Sequence, residues 1–382
     1  MNTLPHTSTQ DNGASHIKPL STSSAQTLWE MLYAQGKVNS PEPPESNELP
    51  WYLALMQAFA AWIAAWFLLG FMVSVFYALW ERLEGGAALF TGASYLGLGL
   101  ALYWGGRQQH FLQQFAFASC LSGAMAFGWG LFDLLGYEFS LIWYLCMSVL
   151  FLLLWGIIKH AVAQWVFAFS LLACLTGLLA EWHLLNLTPT LLVLLLSVVL
   201  LNIHRTGYHY QRARMLVFGA ATLLLTIQLM HVFSMDRIFE ELFVSSWQSG
   251  MTAIHLIVVF SICGFLIFSS FKQWHTQPTS PVVLFMFLGL VLVTALSLPM
   301  QGLSTAVLLM LLGHYTREVW LKGIGIGSGL VFVSGYYYSL ETTLMLKSLY
   351  LMGLGLLLLA ARLVMWRYFP ISDAQAELEE HV

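Results

Sequence analysis

The sequence predicts an all-α fold, a polytopic transmembrane helical bundle of about twelve spans with both termini in the cytoplasm, and three observations predict it. First, 58% of the 382 residues are apolar and only 9% are Asp, Glu, Lys or Arg. A soluble domain carries about a quarter charged residues, so this supply cannot build a water-facing surface, and a mean hydropathy of +0.73 agrees. Second, the apolar runs continue unbroken for about 18 residues or more, the length of a helix across hydrocarbon. Barrel strands would instead alternate over about ten residues. In lipid, each backbone N–H and C=O needs an internal partner, which a helix supplies. Third, the basic residues alternate in a way that fits one topology, as set out below.

The elements follow in order. Residues 1–50 read as a cytoplasmic arm. Residues 3–15 are rich in Thr, Ser and Asn and carry no apolar pattern. Residues 24–35 read as one short amphipathic helix: Ser23 and Gln26 fit a capping box, Leu28, Trp29, Leu32 and Tyr33 share a face, and Gly36 supplies a stop. Pro41, Pro43 and Pro44, interleaved with glutamates, make the following stretch an extended connector. No basic segment precedes an apolar one here, so no cleaved signal peptide is expected, and the first span acts as an uncleaved anchor.

The transmembrane domain is expected over 51–367, with spans near 51–79, 85–104, 111–132, 139–158, 161–180, 184–203, 215–233, 250–271, 282–299, 302–316, 323–338 and 343–365. The tenth and eleventh are short. Tryptophans gather at the ends of these runs, for example Trp51, Trp80, Trp104, Trp182, Trp274, Trp320 and Trp366, as an interfacial belt requires. With the N-terminus inside, the inner side holds Lys18, Lys37, Arg107, Lys159, Arg205, Arg212, Arg214, Lys272, Arg317, Lys322, Arg362 and Arg367. The outer side holds Arg82, Arg237 and Lys347. Twelve of the 15 basic residues thus fall on one side, as the positive-inside rule demands. Residues 368–382 are a short acidic cytoplasmic tail, beginning after the last span and stopped by Pro370. A six-plus-six division at the basic loop 204–214 is conceivable, although the halves share no motif.

Little here carries chemistry. The net charge of −4 argues against a nucleic-acid partner. Cys120, Cys146, Cys174 and Cys263 stand singly in separate apolar runs, so neither disulfides nor a zinc site is indicated, and each reads as a small buried hydrophobe. The glycine run 323–329 sits inside a span rather than between a strand and a helix. It therefore reads as small-x-x-x-small packing, by Gly323 with Gly327 or Gly325 with Gly329, and not as a nucleotide loop. Gly92, Gly97 and Gly99 allow the same in the second span, as do Gly353 and Gly355 in the last.

Ionisable and strongly polar groups at membrane depth are costly, so they are the candidate sites. Glu341 and Lys347 form one group: Lys347 either snorkels past Tyr336, Tyr337 and Tyr338 to the outer surface, with Glu341 at the helix start, or pairs to pin the last two spans. Gln228, His231 and His255, near Asp236, form the other. They either hydrogen-bond across helices or line a proton-accepting or metal-binding vestibule. No catalytic constellation, cofactor loop or metal-ligand spacing accompanies them.

The closing stretch, Tyr336, Tyr337, Tyr338, Ser339, Leu340, Thr343, Leu344, Lys347, Ser348 and Leu351, then Gly353 to Leu359, resembles that of the bacterial membrane family called domain of unknown function 4401. The arm is similar as well, with Leu28, Trp29 and Leu32, Gly36 and Val38, then Pro50, Trp51, Tyr52, Ala61 and Trp62 opening the first span. Leu311, Leu312, Gly313 and Arg317 also fit. The resemblance implies a multi-pass inner-membrane protein of Gram-negative bacteria. It also implies a partner, a second membrane protein of the GDYXXLXY type, whose motif is absent from this chain. It implies no activity. The expected function is therefore a non-enzymatic subunit of a membrane complex in the lipid bilayer; the alternative is a secondary transporter or channel for a small solute.

Overall fold

In the computed structural model the described residues are 51–80, 85–106, 110–232, 248–273, 281–298 and 302–339, together with scattered positions in 29–36 and 345–363. The chain divides into two units, residues 50–341 and the two ends, 1–49 with 342–382.

Within the larger unit, eleven α-helices follow one another: α1 (Trp51–Trp80), α2 (Gly85–Gly105), α3 (His110–Leu134), α4 (Leu141–Ile157), α5 (Ala161–Glu181), α6 (Thr188–Leu201), α7 (Tyr210–Val232), α8 (Gln248–Gln273), α9 (Pro281–Leu296), α10 (Leu303–Tyr315) and α11 (Val319–Ser339). Short 3₁₀ turns precede α6 and α7. Among the described residues there is no strand. Each helix coincides with an expected span, and α11 is longer than expected because it begins at Val319 rather than Gly323. Seven of them are long and apolar enough to cross a membrane, namely α1, α2, α3, α5, α7, α8 and α11. The apolar α4, α6, α9 and α10 are shorter. Large hydrophobic side chains such as Phe67, Leu284, Trp320 and Leu330 stand exposed on the outside, the surface that lipid covers.

The consecutive helices α2 and α3 run antiparallel, as do α10 and α11, and glycine sets how closely they approach. Gly85, Gly92 and Gly99, seven residues apart on α2, face Ala116, Gly123 and Gly130 on α3. A Cβ at Gly92 would lie 2.7 Å from Phe127 Cα, and one at Gly130 would lie 2.5 Å from Leu89 N. Side chains are excluded from that seam. Gly97, expected to share in it, faces open space. The glycines of α11 likewise divide: a Cβ at Gly325 would lie 2.6 Å from Met310 N, and Gly329 approaches Ala306, whereas Gly323 and Gly327 meet nothing. Packing inside the bundle thus uses the second of the two expected pairs. Gly355 also faces open space, and Gly353 lies outside the described residues.

Two hydrophobic cores result. One gathers α2 to α5 around Phe117, Phe151 and Phe167; the other gathers α5 to α11 around Leu196, Leu224, Leu308 and Leu312. The boundary therefore falls on α5, not at the basic loop 204–214. Cys120, Cys174 and Cys263 are free and buried as expected, but Cys146 is exposed. It stands on the outward ridge of α4 with Ile142, Leu145 and Val149, where the helix period turns it away from the core.

In the smaller unit, Trp29, Met31 and Tyr33 are helical, and Gly36 takes φ +66° with its N–H bonded to the Tyr33 carbonyl. This is the glycine stop the sequence predicts. The described positions from Met345 to Leu363 are helical, where the last span is expected.

Candidate functional site

Apart from buried polar side chains such as Ser119, Gln164 and Ser197 elsewhere in the larger unit, the polar contacts of α7 gather at two levels. At the first, Gln228 of α7, His255 of α8 and Thr305 of α10 meet. The Gln228 Nε2 amide donates to Thr305 Oγ1 at 2.7 Å, and His255 Nε2 lies 3.2 Å from the same oxygen. Gln228 is 4% exposed and Thr305 fully enclosed. One hydroxyl with two lone pairs and one proton thus joins three helices. Gln228 Oε1 and His255 Nδ1 are buried without a hydrogen-bond partner. The structure brings Gln228 and His255 together on Thr305, a residue the sequence does not single out. Its signal is faint: a threonine in an apolar run acquires meaning only when packing shows which face it occupies. His231 belongs to α7 one turn beyond Gln228, but its side chain lies outside the described residues. Glu341 and Lys347, and Asp236, lie outside them entirely.

At the second level, on the opposite end of α7, a belt of bonds joins three connections. Glu318, between α10 and α11, accepts from Tyr210 Oη at 2.9 Å and pairs with Arg214, whose Nη2 and Nε lie 2.9 and 3.1 Å from Oε2. Arg212 Nη2 donates to the Gly156 carbonyl at 2.8 Å, and Gln211 Nε2 to that of Lys159 at 3.3 Å. The Lys159 N–H in turn donates to Tyr103 Oη at the end of α2, at 2.8 Å. Glu318 could have been noticed as the lone carboxylate between Arg317 and Lys322.

Between the two levels the seam is dry. Ala220, Ala221 and Leu224 of α7 and Leu308, Leu309 and Leu312 of α10 are all 0% exposed. The two polar levels lie 14 residues apart on α7, about 21 Å at 1.5 Å per residue, and close-packed leucine and alanine fill the interval. Among the described residues no group of three His, Cys, Asp or Glu side chains is placed to hold a metal ion. Such an arrangement fastens helices: it supplies interhelical hydrogen bonds, each worth on average about 0.6 kcal/mol in a membrane, and offers neither an activated nucleophile nor a paired acid and base.

No curated protein and no solved structure matches this chain. The family described as Domain of unknown function (DUF4401) matches residues 50–368, from the proline before α1 to just beyond the last expected span and without the arm. An all-helical chain with seven helices fit to cross a bilayer and a match of that extent is a membrane protein that belongs to this family of unknown function.

Proposed function

We propose that this protein is a multi-pass subunit of a bacterial inner-membrane complex, without catalytic chemistry of its own, crossing the bilayer twelve times with both termini in the cytoplasm. The observation that carries the reading is the use of its polar groups. Gln228, Thr305, His255, Arg214 and Glu318 tie helices together at two levels, and enclosed leucines fill the space between. A scaffold needs such fastening, whereas a conduit would need polar groups along its length. The outward face of α11 adds support. Gly323 and Gly327, four residues apart, are exposed and open. A glycine costs a helix about 1 kcal/mol relative to alanine, and this spacing lets another membrane helix approach closely.

The span count draws on the belt. It holds the ends of α4, α7 and α10 on one side, so an even number of crossings separates them: two across α5 and α6, and four from α7 through α10. The shortest of these, α10 with 13 residues, covers about 20 Å, and local bilayer thinning accommodates such a helix. The partner the family resemblance suggests is a second membrane protein of the GDYXXLXY type. Purification of the tagged full chain in mild detergent should recover a stoichiometric membrane companion, lost from Gly323→Leu/Gly327→Leu. A monomer without companion would overturn the reading. A cross-link from Gly327→Cys to residues 343–365 of the same chain would instead assign that face to the last span.

A secondary transporter or channel is the second reading, favoured by the unpartnered Gln228 Oε1 and His255 Nδ1. It requires solute uptake into proteoliposomes that Gln228→Met or His255→Leu abolishes, and uptake equal to that of empty vesicles would reject it.

A further inference from the structure

The end of α3, the start of α4 and the turn between them carry a continuous run of aromatic rings. Trp129 lies 6.0 Å from Phe132, Phe132 lies 5.7 Å from Tyr137 and 4.5 Å from Phe139, and Phe139 lies 5.0 Å from Trp143 and 6.4 Å from Tyr144. The platform is held rigidly: Trp143 Nε1 donates to the Gly128 carbonyl at 2.9 Å, and Tyr144 packs on Gly177 of α5, where no Cβ would fit. One turn beyond Gly177, Glu181 lies within electrostatic reach of Tyr144 and is followed by the exposed Trp182. Although the rings are packed on one another, Trp129, Tyr137, Phe139 and Trp182 each remain more than half exposed.

Among the described residues, the charge around these rings has one sign. Asp133, Glu138 and Glu181 stand among them, and between Arg107 and Arg205 the sequence holds a single Lys or Arg, Lys159, at the far ends of α4 and α5. The Asp133 carboxylate, hydrogen-bonded to Tyr137 and acting on it by its charge, raises the phenol above its ordinary pKa. Aromatic faces and carboxylates together attract organic cations. The setting identifies the source. Tryptophan and tyrosine at helix ends sit at headgroup depth, and beneath the platform the exposed residues Ile142, Leu145, Val149 and Leu153 of α4 form an aliphatic ridge. From Ile142 to Leu153 it descends about 16 Å along the helix axis, as a bound acyl chain would.

We infer that the rim formed by the α3–α4 and α5–α6 turns is a binding site for an aminophospholipid, its ammonium on the aromatic–carboxylate platform and one acyl chain along the α4 ridge. Anionic lipids without an ammonium are repelled by the same three carboxylates. The inference is independent of whether the protein has a partner subunit.

The test uses delipidated full-length protein in detergent, titrated with dioleoyl phosphatidylethanolamine or dioleoyl phosphatidylglycerol and followed by native mass spectrometry. Retention of the ethanolamine lipid should exceed that of the glycerol lipid about tenfold. Glu138→Gln/Glu181→Gln, which changes two exposed side chains without disturbing packing, should remove the preference. Phe139→Leu should weaken retention of the ethanolamine lipid with the carboxylates intact. Equal retention of the two lipids, or an undiminished preference in the double variant, would overturn the assignment. So would a photo-crosslinker at Tyr137 that labels a protein in membranes rather than lipid.

Discussion

Thr305 holds more of the bundle together than its size suggests, because its one hydroxyl meets both Gln228 and His255. Thr305→Val is nearly isosteric, yet it strands two buried polar groups at once. It should lower stability by about 1–3 kcal/mol, read as a fall in the detergent melting temperature. Gln228→Met is expected to cost less, since it removes the unpartnered Oε1 along with the donor. If both variants melted with the native protein, the triad would not be a fastening. His183 invites the opposite change. It ends α5 at φ +57°, with the Leu184 N–H bonded to the Leu179 carbonyl, a position that favours glycine. The side chain is exposed, so His183→Gly should raise the melting temperature, by an amount equivalent to about 1 kcal/mol. The sequence disclosed Gln228 and His255 because polar groups are conspicuous in apolar runs. Thr305 stayed hidden because threonine satisfies its own helix so readily, as Thr91, Thr176 and Thr226 do here by donating to the carbonyl four residues back.

At the scale of elements, periodicity and length located every helix from α1 to α11, since hydrocarbon imposes one kind of secondary structure and leaves boundaries to charged and turn-forming residues. Which face of a helix meets which neighbour was not legible. Gly92 and Gly97 look alike in sequence, yet one lies against the Phe127 backbone and the other borders open space. That difference makes a sharp comparison. Gly97→Ala should stabilise by up to about 1 kcal/mol through helix propensity. Gly92→Ala should destabilise by about 1–3 kcal/mol, because α2 and α3 must separate to admit the methyl group. Equal responses in thermal melts would show that the glycine seam does not exist. Similarly, Cys146 reads as a core residue by type and faces outward by its place in the helix period.

At the scale of the whole molecule, the belt of Tyr103, Lys159, Arg212, Arg214 and Glu318 gathers helix ends that the proposed topology assigns to the cytoplasmic side. Single cysteines at Arg205 and Glu138, in a background without native cysteines, should report opposite sides: the first blocked by an impermeant maleimide only after the cells are opened, the second in intact spheroplasts. Labelling of both from the same side would break the twelve-span topology. The two cores carry a further mechanical consequence. Leu171 belongs to one and Leu172 to the other, so α5 is a wall common to both rooms. Rocking either half against the other would have to shear adjacent side chains of a single helix. The bundle is therefore braced against the see-saw motion by which many carriers expose a substrate first to one compartment and then to the next.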